Sequence, residues 1–468
     1  MINKFKHYKQ HIPDLQIKEI KFGLNKLYIL NIQTLSSSQL SNQYVMDYLS
    51  QRSLMKSNLS NITKDINNHI PSISFIKLKY DEDEIFNYLF NGFTIIIYKN
   101  EVIGFETRAT LDRGINPPTS EPSIKGPKDS FNENYNTNLG LVRKRIKNKN
   151  LYIKELTLGT KSKTKICIFY MNDIVDKKLL NETIKKIESI KSDKILDSYY
   201  IKELIKKENK SSFPTIKSTE KPDTIAKCLT EGKICILTEN SDNALIIPTY
   251  FMDFFHLEED NYNKQFYSKF IKIIRILAFF ITIFAPSIYL SLITYDQQML
   301  PTSLLVNFTL QRYTVPFPAL IEALLLMFTF EILYEADALK PSSRGTSLSI
   351  LGALVLGDAA VSAGIISPIM VIVVAITAIC SMFFSYHEFQ SFVRLYRYLL
   401  MITASFLGMI GILFGFIILL TNLCNIKSFG KPFLIPITPI IDESNKQKLK
   451  KGLIPQNTNK GELWKKYL

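Results

Sequence analysis

Residues 345–385 read GTSLSILGALVLGDAAVSAGIISPIMVIVVAITAICSMFFS, and this run decides what kind of molecule the chain is. It carries one formal charge, Asp358, and follows Arg344. A helix that crosses a bilayer needs about 20 apolar residues. The run is long enough for two such passes, with a break at Ser367-Pro368, where proline removes a backbone donor. Its first half is rich in small residues, and Ala353, Gly357, Ala360 and Gly364 recur at four- and three-residue steps. On one helix these four share a face and are candidate helix-packing positions. Such a stripe lets backbones approach closely, against neighbouring helices or around a narrow axis. Asp358 stands apart, because a carboxylate at mid-depth costs about 2.5–3.5 kcal/mol and therefore faces protein or water.

Outward from this run lie further apolar segments. Residues 270–294 form the first, entered by Lys264, Lys269, Lys272 and Arg275, which mark a cytosolic flank. Pro286 is expected to kink it. The second runs from Pro316 to about Leu333 and contains Glu322, with Glu331 and Glu335 at its end; the last covers 398–420. Residues 263–425 thus read as an α-helical polytopic membrane domain with four to five apolar segments. The tail, 426–468, is lysine-rich and expected on the cytosolic side. Two cytosolic ends require an even number of crossings. One segment is therefore expected to be re-entrant, with the Ser367-Pro368 break and the Glu-bearing second segment as candidates.

The first 262 residues are polar and rich in Lys and Asn. The start, MINKFKHYKQ, lacks the apolar core and small-residue cleavage site of a signal peptide, and residues 1–22 read as a basic tail. An α+β region of two α/β subdomains follows, 23–138 and 139–262. In the first, residues 26–32, 93–99 and 102–108 read as strands and 40–53 and 82–90 as helices. Residues 109–138 are broken by Pro117-Pro118, Pro122 and Gly126-Pro127. In the second, 151–159, 164–171 and 233–239 read as strands, with helices over 176–192, 198–207 and up to Gly232. An aromatic and acidic stretch, 250–262, leads to the membrane.

Chemistry is sparse. The net charge of +15 is spread along the chain without aromatic interleaving or a zinc-finger pattern, which argues against nucleic acid and suits contact with membrane lipids. Five scattered cysteines and five scattered histidines offer no disulfide framework and no metal site. There is no Walker loop, GxGxxG, HExxH or GxSxG, so no catalytic residue and no cofactor is assigned. Glu331 and Glu335 lie one turn apart, either as an acid/base pair or as interfacial carboxylates meeting Lys340 or Arg344. Glu322 lies deeper on a nearly opposite face, serving an ion pathway or a hydrogen bond between helices. From the residues alone the chain reads as a channel, transporter or receptor and not as an enzyme.

Ordered stretches across the chain then point to one family. They include KGPKDSFNE (125–133), NLGLVRKRI (138–146), LGTKSKTKICIFYMNDI (158–174), FPTIKSTEKPD (213–223) and FMDFFHLEEDNY (251–262). In the membrane part they are VPFPALIEALLLMFTFEILYEA (315–336), LGALVLGDAAVSAGIISPIMVIVVAITAI (351–379) and SFGKPFLIPITP (428–439). In this order they resemble the A subunit of the GerA-type spore germination receptors. The chain departs from the family pattern at Asp129-Ser130-Phe131, Lys221, Ser241-Asp242 and Asp358.

The resemblance implies a nutrient-receptor subunit of the spore inner membrane, beside a permease-like B subunit and a lipoprotein C subunit. It implies a homo-oligomer around a ligand-gated ion pathway. The small-residue helix 352–364 would then carry the pore, with Val355, Asp358, Val361 and Ser362 as candidate lining positions; apolar constrictions gate by dewetting and carboxylate rings favour cations. The competing readings are a scaffold or signalling subunit without its own pore, and a secondary transporter. The transporter reading lacks an internal repeat in 270–420.

Overall fold

The N-terminal half folds twice in the same way. In this computed structural model, which describes residues 2–22, 25–41, 75–109, 125–209, 213–338, 357–384, 386–435 and 437, each half-domain is a five-stranded antiparallel sheet. Residues 42–74, 110–124, 339–356 and 438–468 lie outside it, and with them most of the helix expected near 40–53, Lys340, Arg344, Ala353, Val355 and the lysines of the tail.

The first sheet contains β1 (Leu15–Phe22), β2 (Asn25–Ile32), β3 (Phe75–Leu78), β4 (Phe93–Tyr98) and β5 (Glu101–Glu106), in the order β1-β2-β4-β5-β3. The helices are α1 (Ile2–Lys9), α2 (Ser38–Ser41) and α3 (Glu82–Phe90). Asp81 caps α3 by accepting from the Glu84 amide. The basic tail expected over 1–22 is instead an integral part of this subdomain. Phe5, Ile12 and Leu15 are buried with Leu30, Ile85 and Leu89, so apolar content outweighs the lysines around it.

The second sheet repeats the order with β6 (Leu151–Leu158), β7 (Thr164–Met171), β8 (Lys217–Thr219), β9 (Ile234–Thr238) and β10 (Ala244–Ile247), running β6-β7-β9-β10-β8. Its helices are α4 (Tyr135–Arg145), α5 (Lys177–Glu188), α6 (Ser198–Asn209) and α7 (Pro222–Thr230). Alternation along β7 splits the core: Cys167 and Phe169 face α4 and α7, whereas Ile166 and Ile168 face α5 and α6. Phe131 and α4 belong to this second core, so the expected boundary at 138/139 falls inside the second subdomain. The two subdomains meet at a buried pair, Arg143 Nη2 to Asp14 Oδ1 at 3.2 Å.

Among the described residues six α-helical stretches follow: α8 (Gln265–Thr294), α9 (Thr302–Arg312), α10 (Ala319–Ala338), α11 (357–362), α12 (Pro368–Ser381) and α13 (His387–Asn425). Pro286 lies within α8 without ending it. Among the described residues, two helices are long and apolar enough to cross a membrane, Phe266–Thr294 and Glu388–Asn425. The second is not one rod. Gly408 leaves helical geometry at φ 61°, ψ −141°. Across it Asn422 Nδ2 donates to the Tyr396 hydroxyl, although 26 residues separate them. A Cβ at Gly411 would lie 2.1 Å from the carbonyl oxygen of Thr403. Residues 387–407 and 409–425 are therefore antiparallel arms of a helical hairpin, and the single segment expected at 398–420 spans its apex.

Candidate functional site

The membrane helices are built from apolar residues that stay exposed, among them Phe280, Phe328, Ile372, Phe406 and Phe414. A surface of that kind meets lipid or other chains. Against it, the polar contacts stand out.

Helix α11 ends at Gly364, which takes φ +66°. The Gly364 amide donates to the Val361 carbonyl at 2.9 Å and the Ile365 amide to the Ala360 carbonyl at 3.0 Å, a Schellman termination. Gly364 thus terminates the helix, a conformation that glycine alone adopts cheaply. A Cβ at Gly357 would meet Val371 Cγ1 at 3.6 Å, an ordinary contact, and Ala360 packs against the cluster of Tyr289, Ala323 and Met370. Of the lining candidates, Asp358 and Ser362 are exposed and Val361 is half-buried. The Asp358 carboxylate forms no hydrogen bond or ion pair with a described residue.

Ser367 precedes α12 in an extended conformation, with Pro368 opening the helix. Its amide and its hydroxyl both donate to Glu322 Oε1, at 2.7 and 2.5 Å. Glu322 is fully buried, and its other oxygen lies 3.9 Å from Arg312 Nε. This carboxylate ties α9, α10 and the start of α12 together.

Glu331 and Glu335 sit in different surroundings. Glu331 bridges to Arg394 at 2.9 Å and Arg397 at 2.8 Å, on the first arm of α13, and Glu335 is exposed. The Arg394 guanidinium stacks 4.6 Å over Tyr334, whose hydroxyl donates to Gln390 at 2.8 Å. Arg397 is buried. Sequence reading missed both arginines, although their three-residue spacing at the head of an apolar segment would place them on one helical face.

The direction of each helix follows from its neighbours. Phe279 of α8 lies 6.0 Å from Phe389, and Phe284 lies 5.5 Å from Phe416. At the far end of α8, Asp296 Oδ2 accepts from the Met409 amide at 2.9 Å. The hairpin apex therefore sits beyond the end of α8, and both hairpin ends return to the second subdomain.

That return is a dense junction. Lys202 Nζ meets Glu388 at 2.6 Å, and Lys217 Nζ lies 4.5 Å over the Tyr386 ring. Phe213 packs with Phe251, Phe392 and Phe433 in one core that includes both soluble and membrane residues. After α13, residues 426–435 turn back as a strap: Ser428 Oγ donates to Thr215 O at 3.0 Å, the Phe251 amide to Phe433 O at 2.9 Å, and Lys431 meets Asp176 at 3.2 Å. Arg275 holds Asp260 through two contacts at 2.6 and 3.1 Å. Burial acts to raise the Asp260 pKa, but His256 and Arg275 outweigh it and hold the carboxyl at about 2. No group of three His, Cys, Asp or Glu side chains able to hold a metal occurs among the described residues.

Comparison with known proteins places these features. The chain is 36% identical over 93% of its length to "Spore germination protein KA" of Bacillus subtilis (strain 168), covering 81% of that protein. It is 33% identical over 91% of its length to "Spore germination protein B1" of the same organism, covering 88%. The crystal structure of the N-terminal domain of the A subunit of the Bacillus megaterium spore germinant receptor GerK3 aligns with 53% of the chain and 94% of that domain, at 25% identity and TM-score 0.40. The family profile described as "Bacillus/Clostridium GerA spore germination protein" matches residues 3–462, and the chain belongs to that GerA spore germination family.

Proposed function

We propose that the chain is the A-type subunit of a germinant receptor in the spore inner membrane, working with permease-like B and lipoprotein C subunits, and that copies of it assemble around an ion pathway lined by the α11 face. The observation that carries the pathway is Asp358. Its carboxylate stands exposed on an apolar helix with no hydrogen bond or ion pair to a described residue, a costly state in hydrocarbon. Water in a pore, with Val361 and Ser362 beside it, removes that cost; the fourth lining candidate, Val355, lies outside the described residues.

The helix directions support a topology with both ends cytosolic. Helix α8 leaves the soluble domain, α10 returns, α11 ends at the far side, α12 returns, and the two α13 arms go out and back. The even number of crossings then comes from the hairpin at Gly408, and no re-entrant segment is required. The junction of Lys202, Tyr386 and the 426–435 strap would pass movement between the soluble domain and these helices.

Potassium release from spores carrying Val361→Ala or Asp358→Asn, with and without nutrient, tests the pathway. At normal protein level, leak without nutrient is expected for Val361→Ala and altered nutrient-triggered release for Asp358→Asn. Wild-type release in both variants would overturn the lining assignment in favour of a scaffold role.

A further inference from the structure

The Glu322 carboxylate is used unevenly. Its Oε1 takes both Ser367 donors, the amide at 2.7 Å and the hydroxyl at 2.5 Å, which fills the two lone-pair positions of that oxygen. Its Oε2 is buried and accepts no hydrogen bond from a described residue. Arg312 Nε, also buried and also without an acceptor among the described residues, faces that oxygen from 3.9 Å. Each idle group is costly where it stands, so the network is only half satisfied.

A second arrangement is within reach. Arginine pairs best with a carboxylate through two parallel N–H···O bonds of about 2.7–2.9 Å, one to each oxygen. Closing the 3.9 Å gap takes a shift of about 1 Å. The second bond of that fork needs Oε1, which Ser367 fills. A full Arg312–Glu322 pair therefore forms only as Ser367 releases at least one of its bonds. The element that carries Arg312 has room to shift: none of the 11 residues of α9 is buried, and an open groove of 270 Å³ lies against Leu305, Phe308 and Arg312. On the other side, the Ile365 and Ile366 amides still donate to the Ala360 carbonyl, at 3.0 and 3.4 Å, so movement at Ser367 is carried into α11.

We infer that Glu322 is a two-position latch on the turn between α11 and α12: engaged by Ser367 it fixes the end of α11, and drawn onto Arg312 it frees that end. Glu322, Arg312 and Ser367 are positioning residues, acting through α11. That the freed turn opens an ion pathway rests on the reading of α11 as its lining; the latch itself does not.

The test uses the full chain in nanodiscs, with Ile366→Cys as the reporter and Cys380 and Cys424 replaced by serine; the other three cysteines are buried. Ile366 is buried beside Ser367, so its thiol reacts with N-ethylmaleimide only when the turn opens. Ser367→Ala removes one donor to a charged acceptor and should speed labelling at least about tenfold. Arg312→Gln removes the competing partner and should slow labelling, and the double variant should fall between the two. A purely structural clamp predicts faster labelling in both single variants, since each removes a neighbour of the same carboxylate. That result, or no change in either variant, would overturn the latch. Should Arg312→Gln fail to fold, Arg312→Lys keeps the charge without the fork and must still slow labelling. Potassium release from spores then separates the two readings. With labelling shifted as expected, release without nutrient in Ser367→Ala supports latch and pathway together, whereas unchanged release supports the latch and overturns the pathway.

Discussion

Replacing Gly408 with alanine puts the hairpin to a direct test. At φ 61°, ψ −141° the backbone occupies a region open to glycine, and an L-residue held there costs about 1–3 kcal/mol. The added Cβ would lie 2.8 Å from Asp296 Oδ2 and 2.9 Å from Tyr295 Cβ, an overpacking worth about 1–3 kcal/mol more. The Asp296 carboxylate also accepts from the Met409 amide, so moving it uncaps the second arm. Gly408→Ala is therefore expected to lose about 2–6 kcal/mol, read as a lower unfolding temperature of the detergent-purified chain and reduced protein in membranes. Gly357→Ala is the contrasting control. Its Cβ meets Val371 at 3.6 Å, an ordinary contact, and alanine gains up to about 1 kcal/mol over glycine in a helix. The geometry has its own assay in a Tyr396→Cys, Asn422→Cys pair, made with Cys380 and Cys424 replaced by serine. A straight helix separates positions 26 residues apart by about 39 Å, whereas here the two side chains are hydrogen-bonded. A short bis-maleimide should crosslink them, since its span is well below the separation in a straight helix and exceeds the reach of a disulfide. Failure to crosslink in folded protein, or a Gly408→Ala chain as stable as the parent, would refute the hairpin.

Glu331→Gln removes the carboxylate shared by Arg394 and Arg397 and should cost about 1–3 kcal/mol, below the 3–5 of a fully buried pair because Glu331 is partly exposed. Thermal unfolding of the Glu331→Gln/Arg397→Gln double variant should recover part of that loss, and strict additivity of the two changes would sink the bridge. Acid stability should depend on Asp260, whose pKa is depressed from 3.8 to about 2. A depressed carboxyl contributes stability that is full above about pH 4 and lost as pH falls through about 2, here about 1–2 kcal/mol after screening. Arg275→Gln should flatten that acid limb in unfolding temperatures measured from pH 5 to pH 2, and an unchanged limb would show that the pair adds nothing.

Much of the fold was legible because its signals are local. The strands at 26–32, 93–99, 151–159 and 164–171 are short runs rich in Ile, Tyr and Phe bounded by turn residues, and all four form. The break at Ser367-Pro368 was legible because proline cannot continue a helix from an extended serine. Misreadings came where the deciding partner is distant in sequence. Residues 1–22 look basic, yet Phe5, Ile12 and Leu15 are claimed by a core whose other members lie as far along the chain as Val102. Gly364 fits a four- and three-residue rhythm, yet it ends the helix. In 398–420 the apolar run continues straight across the apex, because a turn made by one glycine leaves hydropathy unchanged.

The sequence by itself determined that this chain has a polar α+β half and a membrane half, and that Asp358 is a carboxylate in an apolar run. Composition and periodicity carry that information residue by residue. Only the tertiary structure decided that both subdomains share one strand order, that the last apolar segment is a hairpin, and that Glu331 belongs to Arg394 and Arg397 while Glu322 belongs to Ser367 and Arg312. Those outcomes depend on which of several compatible partners the packing brings within about 3–4 Å, and an ion pair or a strand neighbour has no local signature until the chain has folded.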